Sequence, residues 1–296
     1  MKEYLFYTLS PIHIGNGSEK HYPFDCVIKN GYLVDVDLNR YTIDDLKKII
    51  KEFKEKKDHK EKIKKLREIS EKYALSSGGI KIVEDIANKD DIVINEFINI
   101  DGKPYIPGSS IKGTFVSYTG PGSVHHIDKV SNKPTLSYII FRDVMLEKDS
   151  LTISRIYSLS MKKINRLIKY NYIEVIPPGK KINAEIIKNE FYHEKEVRYL
   201  ENEKILEKIK DINSNLIKGE LNWIRNFKNK IIDLRSETIK ALNGLEEFYK
   251  KIEQENKNNI LIRIGKGKFS ENSTTIKITK INEIYYPFGW VRVEPK

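Results

Sequence analysis

One rigid junction constrains this chain more than any other segment: Tyr105-Ile106-Pro107-Gly108-Ser109-Ser110-Ile111-Lys112-Gly113. Pro107 fixes its own φ, and the two glycines allow positive φ or close backbone approach. Ser109 and Ser110 are suited to cap the helix that Ile111 to Tyr118 would begin. The segment therefore reads as a strand, a tight turn and a helix start. A helix N-terminus carries unpaired N–H donors and the positive end of the dipole, so it is a ready anion site. The N–H groups of Ser109, Ser110 and Gly113, with Lys112 beside them, are a candidate phosphate cradle. The alternative is a plain strand-turn-helix junction with no ligand.

Two more glycine-punctuated turns lie near the ends of the chain. Leu9-Ser10-Pro11-Ile12-His13-Ile14-Gly15-Asn16-Gly17 follows the strand-like run Tyr4 to Thr8. Ile262-Arg263-Ile264-Gly265-Lys266-Gly267-Lys268-Phe269 is followed by Ser273-Thr274-Thr275. A lone Gly-x-Gly occurs in many unrelated turns, so the weight comes from the set. Composition points the same way. Fifty-three Lys and Arg against 42 Asp and Glu give a formal charge of +11, which concentrates polyanions at the surface. An AT-rich genome or a hot habitat also raises lysine content, so the charge supports a nucleic-acid partner without establishing one.

Strand-like alternation continues at Phe24 to Lys29 and Tyr32 to Asp37, with Asn30-Gly31 as a two-residue hairpin turn. Thr42 and the residues after it read as an N-cap and helix start. The lysine- and glutamate-rich helix that follows runs through Tyr73, with apolar residues at Leu46, Ile49, Ile50 and Phe53. The block 54–65 is mostly charged and reads as a solvated insertion, with an RNA-contacting arm as the alternative. Ser76 to Gly79 ends that helix, and a strand at Ile92 to Asn99 turns at Asp101-Gly102 into the junction above. Thr119-Gly120-Pro121-Gly122-Ser123 breaks the next helix and suggests a shortened or engineered loop. His125 and His126 beyond it are not read as a metal pair, because adjacent histidines diverge on most backbones.

The second half predicts strands at Ile139 to Phe141 and Thr152 to Tyr157, a short helix around Met161 to Tyr170, and strands at Tyr172 to Ile176 and Ile182 to Ile187. From Asn189 to about Asn256 the apolar spacing is helical, from Leu200 through Ile205 to Leu234. Trp223 within it reads as core. Strands return at Ile260 to Ile264, Thr274 to Thr279 and Ile284 to Tyr286. The expected fold class is α+β, with two RRM-like (ferredoxin-like) domains. Residues 1–138 form the first, with a charged helical insertion at about 42–75. Residues 139–296 form the second, with a helical insertion at about 189–258. The single cysteine, Cys26, excludes an internal disulfide or Cys-x-x-Cys zinc site and reads as core. No signal-like start or membrane-length apolar run is present, which predicts a cytoplasmic protein.

In order and spacing the three turns resemble the RAMP superfamily of type III CRISPR effector subunits, with the fifth subunit of the type III-A Csm complex as the best fit. Ile140-Phe141-Arg142-Asp143-Val144, Glu174-Val175-Ile176-Pro177-Pro178-Gly179 and Tyr286-Pro287-Phe288-Gly289-Trp290-Val291 carry the resemblance further. It implies a guide RNA-binding subunit that caps the complex at the guide's 3′ end and supports its maturation. The implied partners are the CRISPR guide RNA, the other Csm subunits, above all the repeated backbone subunit, and host nucleases. No membrane partner and no cofactor are expected.

The candidate RNA contacts are His13, Ser109, Ser110, Lys112, Gly113, Arg142, Arg263, Gly265, Lys266, Gly267 and Lys268, with Tyr22 or Phe269 stacking a base. His13 is also the one candidate catalyst, since metal-free RNA cleavage needs a base that titrates near neutrality, and His21 is its nearest candidate partner. Relatives that process CRISPR RNA use an amino-terminal histidine, but the Pro-x-His-x-Gly pattern also resembles non-catalytic members. The expectation is no catalysis. A processing endoribonuclease using His13 is the alternative, and a pure assembly protein is a third reading. Asp37, Asp143 and Glu174 fall on separate elements, and no metal is assigned.

Overall fold

The computed structural model describes residues 2–55, 58–76, 78–83, 92–119, 139–160, 163–188, 203–230, 235–265 and 275–296. In β1 (Lys2–Thr8) the side chains of Tyr4, Phe6 and Thr8 are buried, the period-2 pattern of a strand with one face on the core. β1 is the middle strand of an antiparallel sheet in the order β14 (Ile260–Arg263), β17 (Trp290–Pro295), β1, β13 (Lys181–Lys188), β9 (Ile139–Phe141). Strands from both sides of residue 138 thus share one sheet.

A larger sheet runs β2 (Glu19–Tyr22), β6 (Ile92–Asn95), β12 (Lys163–Val175), β11 (Thr152–Ser160), β5 (Ile80–Ile82), β4 (Tyr32–Asp35), β3 (Cys26–Lys29). β15 (Thr275–Ile281) also pairs with β11, and β16 (Ile284–Pro287) pairs with β15. The Asn30-Gly31 hairpin forms as expected, with both residues at positive φ and Lys29 opposite Tyr32. A small sheet of β7 (Asn99–Ile100), β8 (Lys103–Ile106) and β10 (Val144–Met145) carries the chain into the junction helix.

The short helix expected around Met161 to Tyr170 is not present: residues 163–175 are the long strand β12, hairpin-paired with β11 from Ser160↔Lys163 to Thr152↔Val175. The ladder is interrupted between Arg155 and Tyr157 and between Ser158 and Ser160. Such bulges reset the side-chain alternation, which is why three- and four-residue spacings here imitate a helix. The single helix expected through Tyr73 is two, α1 (Ile43–Lys54) and α2 (His59–Ser70), because the backbone becomes extended at Glu55 and α2 packs back against α1. Thr42 caps α1 by accepting from Asp45 N–H at 3.1 Å.

The apolar stripe of α1 faces outward. Ile43, Leu46, Ile50 and Phe53 are exposed, while the one buried residue of the helix is Asp45. Its carboxylate accepts hydrogen bonds from Tyr73 Oη and Thr42 Oγ1, and Lys72 Nζ lies 3.6 Å away.

Among the described residues three further helices pack against the sheets of this α+β fold: α3 (Gly108–Thr119), α4 (Glu203–Lys230) and α5 (Ser236–Asn258). α4 packs on β14 and α5 on β16, burying Ile217, Ile224, Phe227, Leu245 and Tyr249 between them. Trp223 is core, stacked on Phe227 at 5.1 Å between ring centres. Cys26 is fully buried. Leu200, Leu234, the 120–123 breaker, His125 and His126 lie outside the described residues. Among the described residues no helix is long and apolar enough to cross a membrane.

Candidate nucleic-acid interface

The three glycine turns converge. A Cβ on Gly108 would stand 1.9 Å from the Phe141 carbonyl oxygen, so only glycine lets the helix start press against β9. At Gly265, φ is +90° and a Cβ would stand 2.4 Å from the His13 carbonyl oxygen. Gly289 N–H donates to Pro11 at 2.8 Å, and Ile264 N–H donates to the Gly289 carbonyl at 2.8 Å. Thr114 on α3 completes the junction by donating to the Arg263 carbonyl at 3.4 Å. Residues about 10, 110, 264 and 289 therefore meet at one place, although the sequence spreads them over the whole chain.

The helix start differs from the sequence expectation. α3 begins at Gly108, so Ser109 and Ser110 lie in its first turn instead of capping it. The N–H groups of Ser110 and Ile111 bond to the Pro107 carbonyl, and Gly108 N–H donates to Asp143 Oδ1 at 2.7 Å. An anion thus already caps this helix, and it is the protein's own carboxylate. Gly113 sits in the second turn, where N–H groups serve the helix ladder. What remains for an external phosphate is Ser109 N–H and the half-buried Lys112, neither of which has a partner among the described residues.

His13 is buried, with Nδ1 2.9 Å from the Glu174 carbonyl oxygen and its ring edge-on to Phe97. A carbonyl only accepts, so Nδ1 carries the proton. His21 is exposed on β2. Glu174 itself is 3% exposed and holds two more groups, Lys20 Nζ at 3.0 Å and Phe97 N–H at 2.9 Å. Lys20 also meets Asp35 at 2.9 Å and Glu96 at 3.1 Å, and Lys148 pairs with Asp35. Burial pushes the Glu174 carboxyl up even against Lys20. Burial raises Asp35 as well, but Lys20 and Lys148 outweigh it and hold the carboxyl below its usual value.

Two predicted RNA contacts are corrected. Arg263 is 3% exposed and forms an ion pair with the fully buried Glu220, while its Nε donates to the Phe288 carbonyl at 2.9 Å. It is a core residue, since its position on β14 points into the packing with α4. Tyr22 is buried under Arg67, whose guanidinium carbon is 5.2 Å from the ring centre, so it offers no face to a base. Arg142 is on the surface, 2.9 Å from Glu185. Lys266, Gly267, Lys268 and Phe269 lie outside the described residues. Among the described residues no group of His, Cys, Asp and Glu is arranged to hold a metal. Asp37 accepts from Asn39 N–H and Asp143 caps α3, well apart in role from Glu174.

Sequence reasoning missed a cavity of about 320 Å³ beside His13, to which Asn95, Tyr170, Asn171 and Lys277 contribute. These come from β6, β12 and β15, and one of them, Tyr170, stood in the stretch read as helix.

This fold has known counterparts. Residues 5–119 match the RAMP superfamily. Over its whole length the chain is similar to Csm5 of T. onnurineus, known from a crystal structure. That match has a TM-score of 0.64 and 17% identity, covering 97% of this chain and 99% of that one. It is also similar to a chain of a cryo-EM structure of a Csm-crRNA-target RNA ternary complex of a type III-A CRISPR-Cas system. Here the TM-score is 0.65 at 15% identity, covering 99% of this chain and 100% of that one. At such identities the likeness establishes a shared fold. No curated protein sequence matches. The RAMP match ends at the last residue of α3, so it takes in the first and second glycine turns.

Proposed function

We propose that this chain is a guide RNA-binding subunit of a type III-A Csm complex, placed at the 3′ end of the guide where it caps the repeated backbone subunit and supports guide maturation. The observation that carries the reading is the end-to-end fold likeness to Csm5 and to a chain of a crRNA-bound Csm complex, which leaves almost no residue of either chain uncovered. The RAMP match over residues 5–119 supports it from the sequence side. Lys112 and Ser109 N–H hold one guide phosphate, Lys266 and Lys268 beside Gly265 and Gly267 hold others, and Arg142 is available at the surface.

The protein does not cleave RNA in this reading. His13 is buried, edge-packed on Phe97 and tied to Glu174, the surroundings of a histidine that fixes a turn. Incubating the chain with labelled CRISPR RNA in EDTA, with a His13→Ala control, reads binding and cleavage together. Binding that weakens steeply with salt and leaves the RNA intact is the expected result. Cleavage that disappears in His13→Ala overturns it in favour of a processing endoribonuclease, and no binding at any salt leaves an assembly protein.

A further inference from the structure

The cavity beside His13 has the chemistry of a single-nucleotide pocket. Its floor is apolar, made by Ile156, Ile173 and the buried Phe288. On its rim Tyr170 is an exposed aromatic ring, 47% accessible, on β12, an interior strand of the large sheet. An exposed tyrosine on a sheet is costly in apolar surface and well suited to stack one planar ring. The backbone under it is fixed, because Arg155 Nε donates to the Tyr170 carbonyl at 2.9 Å.

Two side-chain amides flank the ring. Asn171 is exposed, and Asn95 is oriented by donating to the Tyr172 carbonyl at 3.1 Å. Amides present both donor and acceptor, as the edge of a nucleobase does. Lys277, exposed on β15, supplies the one ammonium of the described lining. An aromatic face, amide edges and a single cation over an apolar floor match a base with its phosphate, and do not match a second phosphate or a divalent metal.

We propose that this cavity takes one unstacked nucleobase of the bound guide RNA, stacked on Tyr170, with Asn95 and Asn171 at its edge and Lys277 at its phosphate. This rests on the guide-binding reading and extends it from backbone contacts to a base contact. The cavity also has the right address: His13, which lines it, is the residue whose carbonyl receives Gly265, so the pocket adjoins the convergence of the three glycine turns.

The test is a labelled CRISPR RNA in which nucleotides are replaced one at a time by abasic residues, titrated against the full chain, Tyr170→Ala and Asn171→Ala. Both side chains are exposed, and circular dichroism confirms that the variants fold. One abasic position is expected to weaken the native chain about tenfold and to weaken Tyr170→Ala no further, with the salt slope of Tyr170→Ala unchanged. If every abasic RNA binds the native chain and Tyr170→Ala alike, while binding remains steeply salt-dependent, the pocket is overturned and the guide-binding reading stands. If the native chain shows no salt-dependent binding at all, both fall.

Discussion

Arg263 shows how one residue changes meaning with burial. It lies two positions before Gly265, where an arginine would be expected to reach a phosphate, yet its guanidinium is inside the protein, against Glu220 and 5.3 Å from the Trp290 ring centre. Losing one partner of such a pair leaves the other charge stranded, at about 3–5 kcal/mol, whereas replacing both by apolar groups is often neutral. Arg263→Ala should therefore lower the urea midpoint strongly, and Arg263→Met with Glu220→Leu should recover most of it. The recovered double variant should bind CRISPR RNA as the native chain does. A stable double variant with weakened binding would return Arg263 to the RNA contacts.

At the scale of elements, the Lys20 cluster ties β2, β4 and β12 together through one ammonium and three carboxylates. With Lys20→Met, Glu174 is buried without its main counter-charge, so its carboxyl rises further above its unfolded value. A carboxyl raised in the folded state adds stability below its unfolded pKa and loses it as the pH climbs through the folded one. The variant should thus be clearly less stable than the native chain at pH 7, with the gap narrowing as the pH falls towards 5. In the native chain the depressed Asp35 acts oppositely, its contribution being lost only as the pH drops below about 3.9. Thermal melts of both proteins across this range decide the point. A gap that stays constant would mean that Lys20 contributes packing and not charge compensation.

Elements whose signal is local were legible in the sequence. The Asn30-Gly31 and Asp101-Gly102 turns have the positive φ values their residue types demand, and Thr42 caps its helix. Long-range partners were not legible. The first part of β12, up to Tyr170, read as a helix because bulges broke its alternation, and α1 has a correct helical period but turns it outward because Asp45 is held in by Tyr73 and Lys72. The α3 turn was located correctly, but nothing local indicated that Asp143, 35 residues away, would cap it.

For the whole molecule, the formal charge of +11 favours non-specific attraction to RNA, so affinity alone does not identify a site. The salt slope does. Each phosphate neutralised by a lysine releases condensed counterions, about 0.7 per contact for a single strand. Lys112 stands at the meeting of the glycine turns without an ion-pair partner among the described residues, so its ammonium is available to a phosphate. Lys112→Ala should reduce the slope of log affinity against log salt by about one unit, uniformly across RNA sequences. A distant exposed lysine such as Lys47, changed to Ala, should move it much less. Equal effects from the two would mean that the charge acts as a diffuse field, and that the converging turns serve subunit packing and not the guide backbone.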